Sequence, residues 1–379
     1  MSNLKTNTMK KLLIILVLVP LASCSKGDET ISIKEYSFDK TNSQLMFQDD
    51  EAQSIMTSDN RRYEIGKVLR VRAIDPFTIE VANFAPIDIE NAVILAEIKG
   101  VNSNLKLFKI NKISAHAVKA IKYSFIDGET VFSTEDANTF DLSQYKESGI
   151  PTADITFDFT GDSEIIKKLK SLNKLNWEIK YHDYDTNNDD PIWADNISGK
   201  DIRRFSGLMI NMGYIFINPE FKKQFLSEYI YDNDGVTLTT SEKEIVLQKL
   251  FDIEYFKVGR CTDVAGQGGG SLFGLNEEYL NNYLDKVDRS KWPTFDVMTT
   301  GAHEVGHMLG YSHDSNMTYS INVTPYQGIS EVGSRVLNIL LESNDYPISR
   351  DNYYMPDDFI GDSTSKKANK LGMGACPSN

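Results

Sequence analysis

Apolar and polar positions alternate with a period of two through much of the first half of the chain. Phe77, Ile79 and Val81 alternate with Thr78 and Glu80, and Ile121, Tyr123 and Phe125 alternate with Lys122 and Ser124. Ile155, Phe157 and Phe159 follow the same rule, as do Leu175, Trp177, Ile179 and Tyr181. Successive side chains of a strand face opposite sides of a sheet, so this spacing predicts half-buried β-strands. Turn-forming residues separate the runs, and residues 60–182 read as an all-β, sandwich-like domain. One helical insert, Ser163 to Leu172, breaks the alternation. His116 and His182 stand alone here and read as structural histidines.

The period then changes. Residues 183–205 read as an acidic connecting loop and residues 206–379 as a second, helix-bearing domain. Ser241 and Glu244 have the spacing of a capping box, opening a helix with Ile245, Leu247 and Leu250 as its apolar positions. A second helical stretch is expected near Glu277 to Val287, and a third from Ser330 to Leu341, with Val332, Val336 and Leu340 at core spacing. Gly266-Gln267-Gly268-Gly269-Gly270 reads as a bare flexible stretch; no Gly-Lys-Ser/Thr follows it, so it is not a phosphate loop. The fold class is α+β.

The chain has 379 residues, 41% hydrophobic and 25% charged, which is ordinary globular composition. Lys+Arg 40 against Asp+Glu 54 gives a net charge of -14. Such a chain repels a phosphate backbone, and no basic patch offsets it, so nucleic acid is excluded as a partner. In residues 183–190, Asp and Asn alternate in a way that invites a calcium (Ca2+) reading. Asn188 stands where an EF-hand loop needs Gly, however, and Ala194 where it needs Glu, so a solvated acidic loop is the other reading.

The first residues carry an address. Lys10 and Lys11 precede the apolar run from Leu12 to Val19, then Leu21-Ala22-Ser23-Cys24. The run is too short to span a bilayer and has the form of an export signal. Leu21 to Cys24 resembles the bacterial lipobox, which implies a signal peptide over residues 1–24, a lipidated Cys24 and attachment to a membrane. Residues 25–59 are then a tether, and Ser25 is similar to the residue found in lipoproteins sorted to the outer membrane, facing the periplasm or the cell surface. In an oxidising compartment Cys261 and Cys376 either pair or remain two thiols.

Residues 303–313 carry the chemistry: His303-Glu304-Val305-Gly306-His307-Met308-Leu309-Gly310-Tyr311-Ser312-His313. On a helix, His303 and His307 lie one turn apart on one face and reach a common ion. Glu304 sits beside that face as a general base. Gly310 allows the helix to stop and reverse, bringing His313 to the same ion. Three imidazoles leave a fourth position of zinc (Zn2+) open, as catalytic sites do. Three of the chain's five histidines fall in these eleven residues, so the cluster is a feature of the site and not of the composition.

His303 to His313 resembles the zinc-binding motif of the metzincin metalloproteinases, and Met317-Thr318-Tyr319 resembles their Met-turn. With the lipobox, the chain is similar to the bacterial zinc-dependent metalloproteinase lipoproteins. The resemblance implies a zincin catalytic domain with the active-site helix on the floor of a cleft, zinc on His303, His307 and His313, and Glu304 as general base. Asp314 is similar to the residue after the third histidine in the reprolysin branch. Tyr319 is the implied candidate for assisting the oxyanion; core packing is the other reading. The link from His313 to Met317 is shorter than most metzincins have, so Met317 is either a compacted Met-turn or ordinary core. An extended peptide or protein substrate is expected beside an edge strand, and Gly270 to Leu275 is a candidate for that edge or its hinge. The expected function is a membrane-anchored extracytoplasmic zinc metalloendopeptidase; the alternative is a zincin-fold binding protein or adhesin.

Overall fold

The computed structural model describes residues 33–182, 192–280, 297–319, 327–349 and 353. Cys24 with its signal segment, the acidic residues 183–190, residues 281–287 of the second expected helix, and Cys376 lie outside the described residues. The fold is a mixed α+β arrangement with several sheets.

Two four-stranded sheets make up most of the N-terminal half. One has β1 (Glu35–Phe38), β7 (Leu105–Ile113), β6 (Ile89–Ile98) and β11 (Ile155–Thr160) in that order. The other has β2 (Gln44–Leu45), β8 (Ala117–Lys122), β5 (Thr78–Asn83) and β4 (Leu69–Asp75). A small ribbon pairs β9 (Val131–Ser133) with β10 (Thr139–Asp141). Alternation places Ile79 and Val81 of β5, and Ile155 and Phe159 of β11, in the hydrophobic core. The helical insert is α2 (Glu164–Ser171), its first turn capped by the Ser163 hydroxyl accepting from the Ile166 amide.

The third sheet joins the two halves. Its order is β14 (Gly266–Gly269), β15 (Leu272–Asn276), β13 (Tyr255–Cys261), β12 (Glu178–Tyr181) and β3 (Tyr63–Glu64). The run ending at Tyr181 was expected in the N-terminal sandwich. It pairs instead in parallel with β13, and β3 pairs antiparallel with it. A period of two reports that a segment is a strand, but not which sheet receives it, because any register with the apolar face inward satisfies the pattern.

The expected tether of residues 25–59 is folded from Ile33 onward. It supplies β1, β2 and the short helix α1 (Gln53–Met56), and buries Phe38, Met46, Phe47 and Met56. The expected boundary near residue 206 falls inside α3 (Gly199–Phe216), an almost wholly buried helix whose Ser198–Asp201 capping box starts it. Arg203 of α3 donates to the Phe47 carbonyl (2.6 Å) and to Asp49 (3.2 Å), and the Gln53 amide donates to the Ile197 carbonyl (2.6 Å). The described residues from Ile33 onward accordingly form one compact unit.

The remaining helices are α4 (Pro219–Ser227), α5 (Thr240–Phe251), α6 (Glu277–Leu280), α7 (Val297–Met308) and α8 (Ile329–Ser343). The capping box of α5 is Thr239 with Glu242, two residues earlier than expected, and Ile245 is exposed while Val246, Leu247 and Leu250 are buried. Val332, Val336 and Leu340 of α8 are buried at the expected spacing. No helix among the described residues is long and apolar enough to cross a membrane.

Candidate metal centre

Helix α7 positions the site because it is held on two sides. Its Met298 and Ala302 meet α8 at Gly333, and the Thr299 hydroxyl hydrogen-bonds Ser334 (2.8 Å). It also packs on β14 and β15 of the joining sheet. Met298, Ala302 and Val305 are buried in the core, while His303 and His307 are half-buried.

The helix ends as its sequence requires. The Tyr311 amide donates to the Gly306 carbonyl (3.1 Å) and the Gly310 amide to the His307 carbonyl (3.0 Å), the pair of bonds that makes a Schellman cap. Gly310 has φ +92°, which a side chain would resist. The reversal brings His313 back to the helix. His307 Nε2 lies 3.1 Å from His303 Nε2 and 3.0 Å from His313 Nε2. One ligand atom from each of the three residues lies within 4.8 Å of the others.

Tautomers decide what such proximity means. His303 Nδ1 is 2.8 Å from the Thr318 carbonyl oxygen, and His307 Nδ1 is 2.8 Å from that of Tyr311. A carbonyl only accepts, so each Nδ1 carries the proton and each Nε2 presents a lone pair. Burial pushes the pKa of His303 down to about 3, reinforced by His307, against the raising effect of the Thr318 hydrogen bond. Burial also lowers His307 and His313. Neutral imidazoles with converging lone pairs repel one another, and a cation between them removes the repulsion. Tetrahedral zinc with Zn–N near 2.0–2.1 Å sets its nitrogens roughly 3.3–3.4 Å apart, close to the spacing found. The three histidines therefore fit such an ion.

Glu304 is buried, and desolvation pushes its carboxyl well above the usual carboxylate range. A dication nearby favours the charged form and opposes that shift. Tyr319 lies over the ligands, its ring centroid 4.6 Å from that of His303 and 4.5 Å from that of His313. Met317 is fully buried, and its turn lies against α7 at Gly306: a Cβ there would meet the Met317 carbonyl carbon at 2.9 Å and its oxygen closer still.

The loop from His313 to Tyr319 is held by residues far away in sequence. Asn316 accepts from the Tyr231 amide (2.9 Å) and donates to the Tyr229 carbonyl (2.7 Å), while the Ser315 hydroxyl donates to the Tyr231 carbonyl (2.6 Å). Asn233 accepts from the Ser312 amide (2.8 Å) and donates to the Gly310 carbonyl (3.2 Å). Asn233 sits at the tip of a hairpin closed by the Leu238 amide donating to the Ile230 carbonyl. The Asp-Asn-Asp-Gly run at 232–235 signals a turn, but nothing in it indicates where the turn docks.

Two expectations change at the sheet edge. The glycine run is not a bare flexible stretch: Gly266–Gly269 form strand β14, paired antiparallel with β15. Gly270 to Leu275 is not the edge, because β15 lies between β14 and β13. The outer strand is β14. Cys261 is fully buried, beside Gly274 and Trp193 in the packing of β13, and its candidate partner Cys376 lies outside the described residues. His116 is fully buried, and desolvation followed by the nearby Arg203 holds it well below its ordinary pKa.

No protein-family model, no curated protein and no solved structure matches this chain.

Proposed function

We propose that this protein is a zinc metalloendopeptidase of metzincin type, acting outside the cytoplasm from a lipid anchor at Cys24 in the outer membrane. The observation that carries the reading is the convergence of the Nε2 atoms of three imidazoles, two of them with Nδ1 held by a backbone carbonyl, beside the buried carboxyl of Glu304. Zinc, when bound by His303, His307 and His313, supplies a Lewis acid that acidifies water and polarises a carbonyl.

The chain's own residues supply the rest. The Thr318 and Tyr311 carbonyls fix the tautomer and the ring orientation of two ligands. Glu304 takes a proton from the attacking water and returns it to the leaving amine nitrogen. Tyr319, edge-on to His303 and tilted against His313, is the candidate hydrogen-bond donor to the oxyanion. The β14 edge is the place for an extended peptide to add as a further strand. The Met317 turn, packed on Gly306, supports the floor of the site.

The test is cleavage of a complex peptide library by the purified protein, with Glu304→Ala at matched zinc content. Wild-type cuts that vanish in the variant establish the peptidase and its subsite preference. If both proteins hold one zinc and neither cuts, the binding-protein alternative takes its place.

A further inference from the structure

The glycine run at 266–270 lies against the helix that carries Glu304. A Cβ built on Gly266 would stand 2.5 Å from Glu304 Oε1 and 2.9 Å from both its Cδ and Cγ. A Cβ on Gly268 would stand 2.8 Å from the Cα and the carbonyl carbon of Glu304, and closer still to its carbonyl oxygen. Residues two apart on a strand share a face, so both glycines turn the same side of β14 to α7. At Gly269 and Gly270 the same test meets nothing within 4 Å. The run thus contains two glycines held to that identity by Glu304 and two that are not.

We infer that Gly266 is a positioning residue for Glu304: the volume left by its missing side chain is the seat of the carboxylate. Gly268 has a different task, setting how closely the α7 backbone lies on the strand. The inference rests on Glu304 being the general base. The two positions differ in what a methyl group would strike. At 266 it strikes the outer part of one side chain, which swings away and leaves the helix in place. At 268 it strikes backbone, which cannot swing, so α7 moves and carries His303 and His307 with it. A displaced base in an intact metal site loses turnover and not zinc, because misplacing a reacting group by about 1 Å costs about 100-fold.

The experiment uses the full-length protein with Gly266→Ala, Gly268→Ala, Glu304→Ala and the double variant Gly266→Ala/Glu304→Ala. Gly266→Ala is expected to keep one zinc per chain and an unchanged KM while kcat falls about 100-fold. Gly268→Ala is expected to lose zinc along with activity. The melting temperatures form a cycle that needs no catalysis. Gly266→Ala lowers Tm by about 2–6 °C when Glu304 is present, and by less when Glu304 is Ala, since the struck atoms are gone. An unchanged kcat, loss of zinc from Gly266→Ala, or an equal Tm loss in both backgrounds overturns the inference. If Gly266→Ala alone does not fold, folding of the double variant upholds the seat, and failure of both overturns it. If the wild-type protein cuts no peptide, the peptidase reading falls, while the cycle still decides whether Gly266 seats Glu304.

Discussion

The three histidines come from two kinds of structure. His303 and His307 sit on one helix, brought to one face by the four-residue spacing. His313 sits in a loop that returns to the helix only because its surroundings hold it there. Gly310 makes the reversal, Asn233 clamps both sides of it, and Asn316 with Ser315 ties the following turn to Tyr229 and Tyr231. The helical half needs its own backbone hydrogen bonds, whereas the loop half depends on contacts some 77 to 87 residues away in sequence. Local geometry brings two of the imidazoles together, and long-range hydrogen bonding brings the third.

The largest effect is expected where the helical half and the loop half meet. Gly306→Ala places a methyl group against the Met317 backbone, which cannot swing aside as the end of a side chain can. We expect a loss of about 3 kcal/mol or more and failure to retain zinc, read by chemical denaturation and metal analysis. A stable, zinc-loaded Gly306→Ala protein would show that the turn does not depend on this contact.

A smaller effect is expected from the loop's clamps. Asn316 is fully buried and makes two hydrogen bonds to backbone, so Asn316→Ala removes the partner of the Tyr231 amide and of the Tyr229 carbonyl. The expected cost is about 1–3 kcal/mol in stability. Zinc affinity is expected to fall about 10–100-fold, as when the outer partners of metal ligands are removed. Asn233, at an exposed hairpin tip, is expected to lower zinc affinity with less effect on stability. Competition with a chromophoric chelator measures both, and equal affinities in wild type and variants would mean that His313 is positioned by its own loop.

The smallest effect is expected at Gly310, where the cost is conformational. Ala at φ +92° carries a left-handed penalty of about 1–2 kcal/mol. Zinc-loaded Gly310→Ala should therefore unfold at lower denaturant than wild type while still binding the metal. A protein of unchanged stability would indicate that the cap adjusts without the left-handed residue.

Much of the site was legible because its signal is local. The His303–His307 spacing, Glu304 beside it and Gly310 at the reversal are short-range features, and each stands where the pattern placed it. Met317 is buried and Tyr319 lies beside the imidazoles, so the three residues after Asn316 fold against the histidine cluster despite the short link from His313. Asn233 and Asn316 were not legible, since an Asn in a turn looks the same whether it faces water or clamps another loop. The glycine run differs from the expectation for a related reason. Absent side chains signal flexibility when a segment is taken alone, but here they make room for a helix.

Strands, helices and the metal-ligand spacing are decided by periodicities of two and of 3.6 to four residues, and the sequence determines them without reference to the rest of the chain. Tertiary structure alone decided that β12 pairs with β13, that residues from Ile33 belong to the folded body, and that Gly266–Gly269 form the sheet edge against α7. Those outcomes depend on which surfaces meet. A strand's alternation states which face is apolar and leaves its neighbour open, until burial of every apolar face and pairing of every buried backbone group select one arrangement.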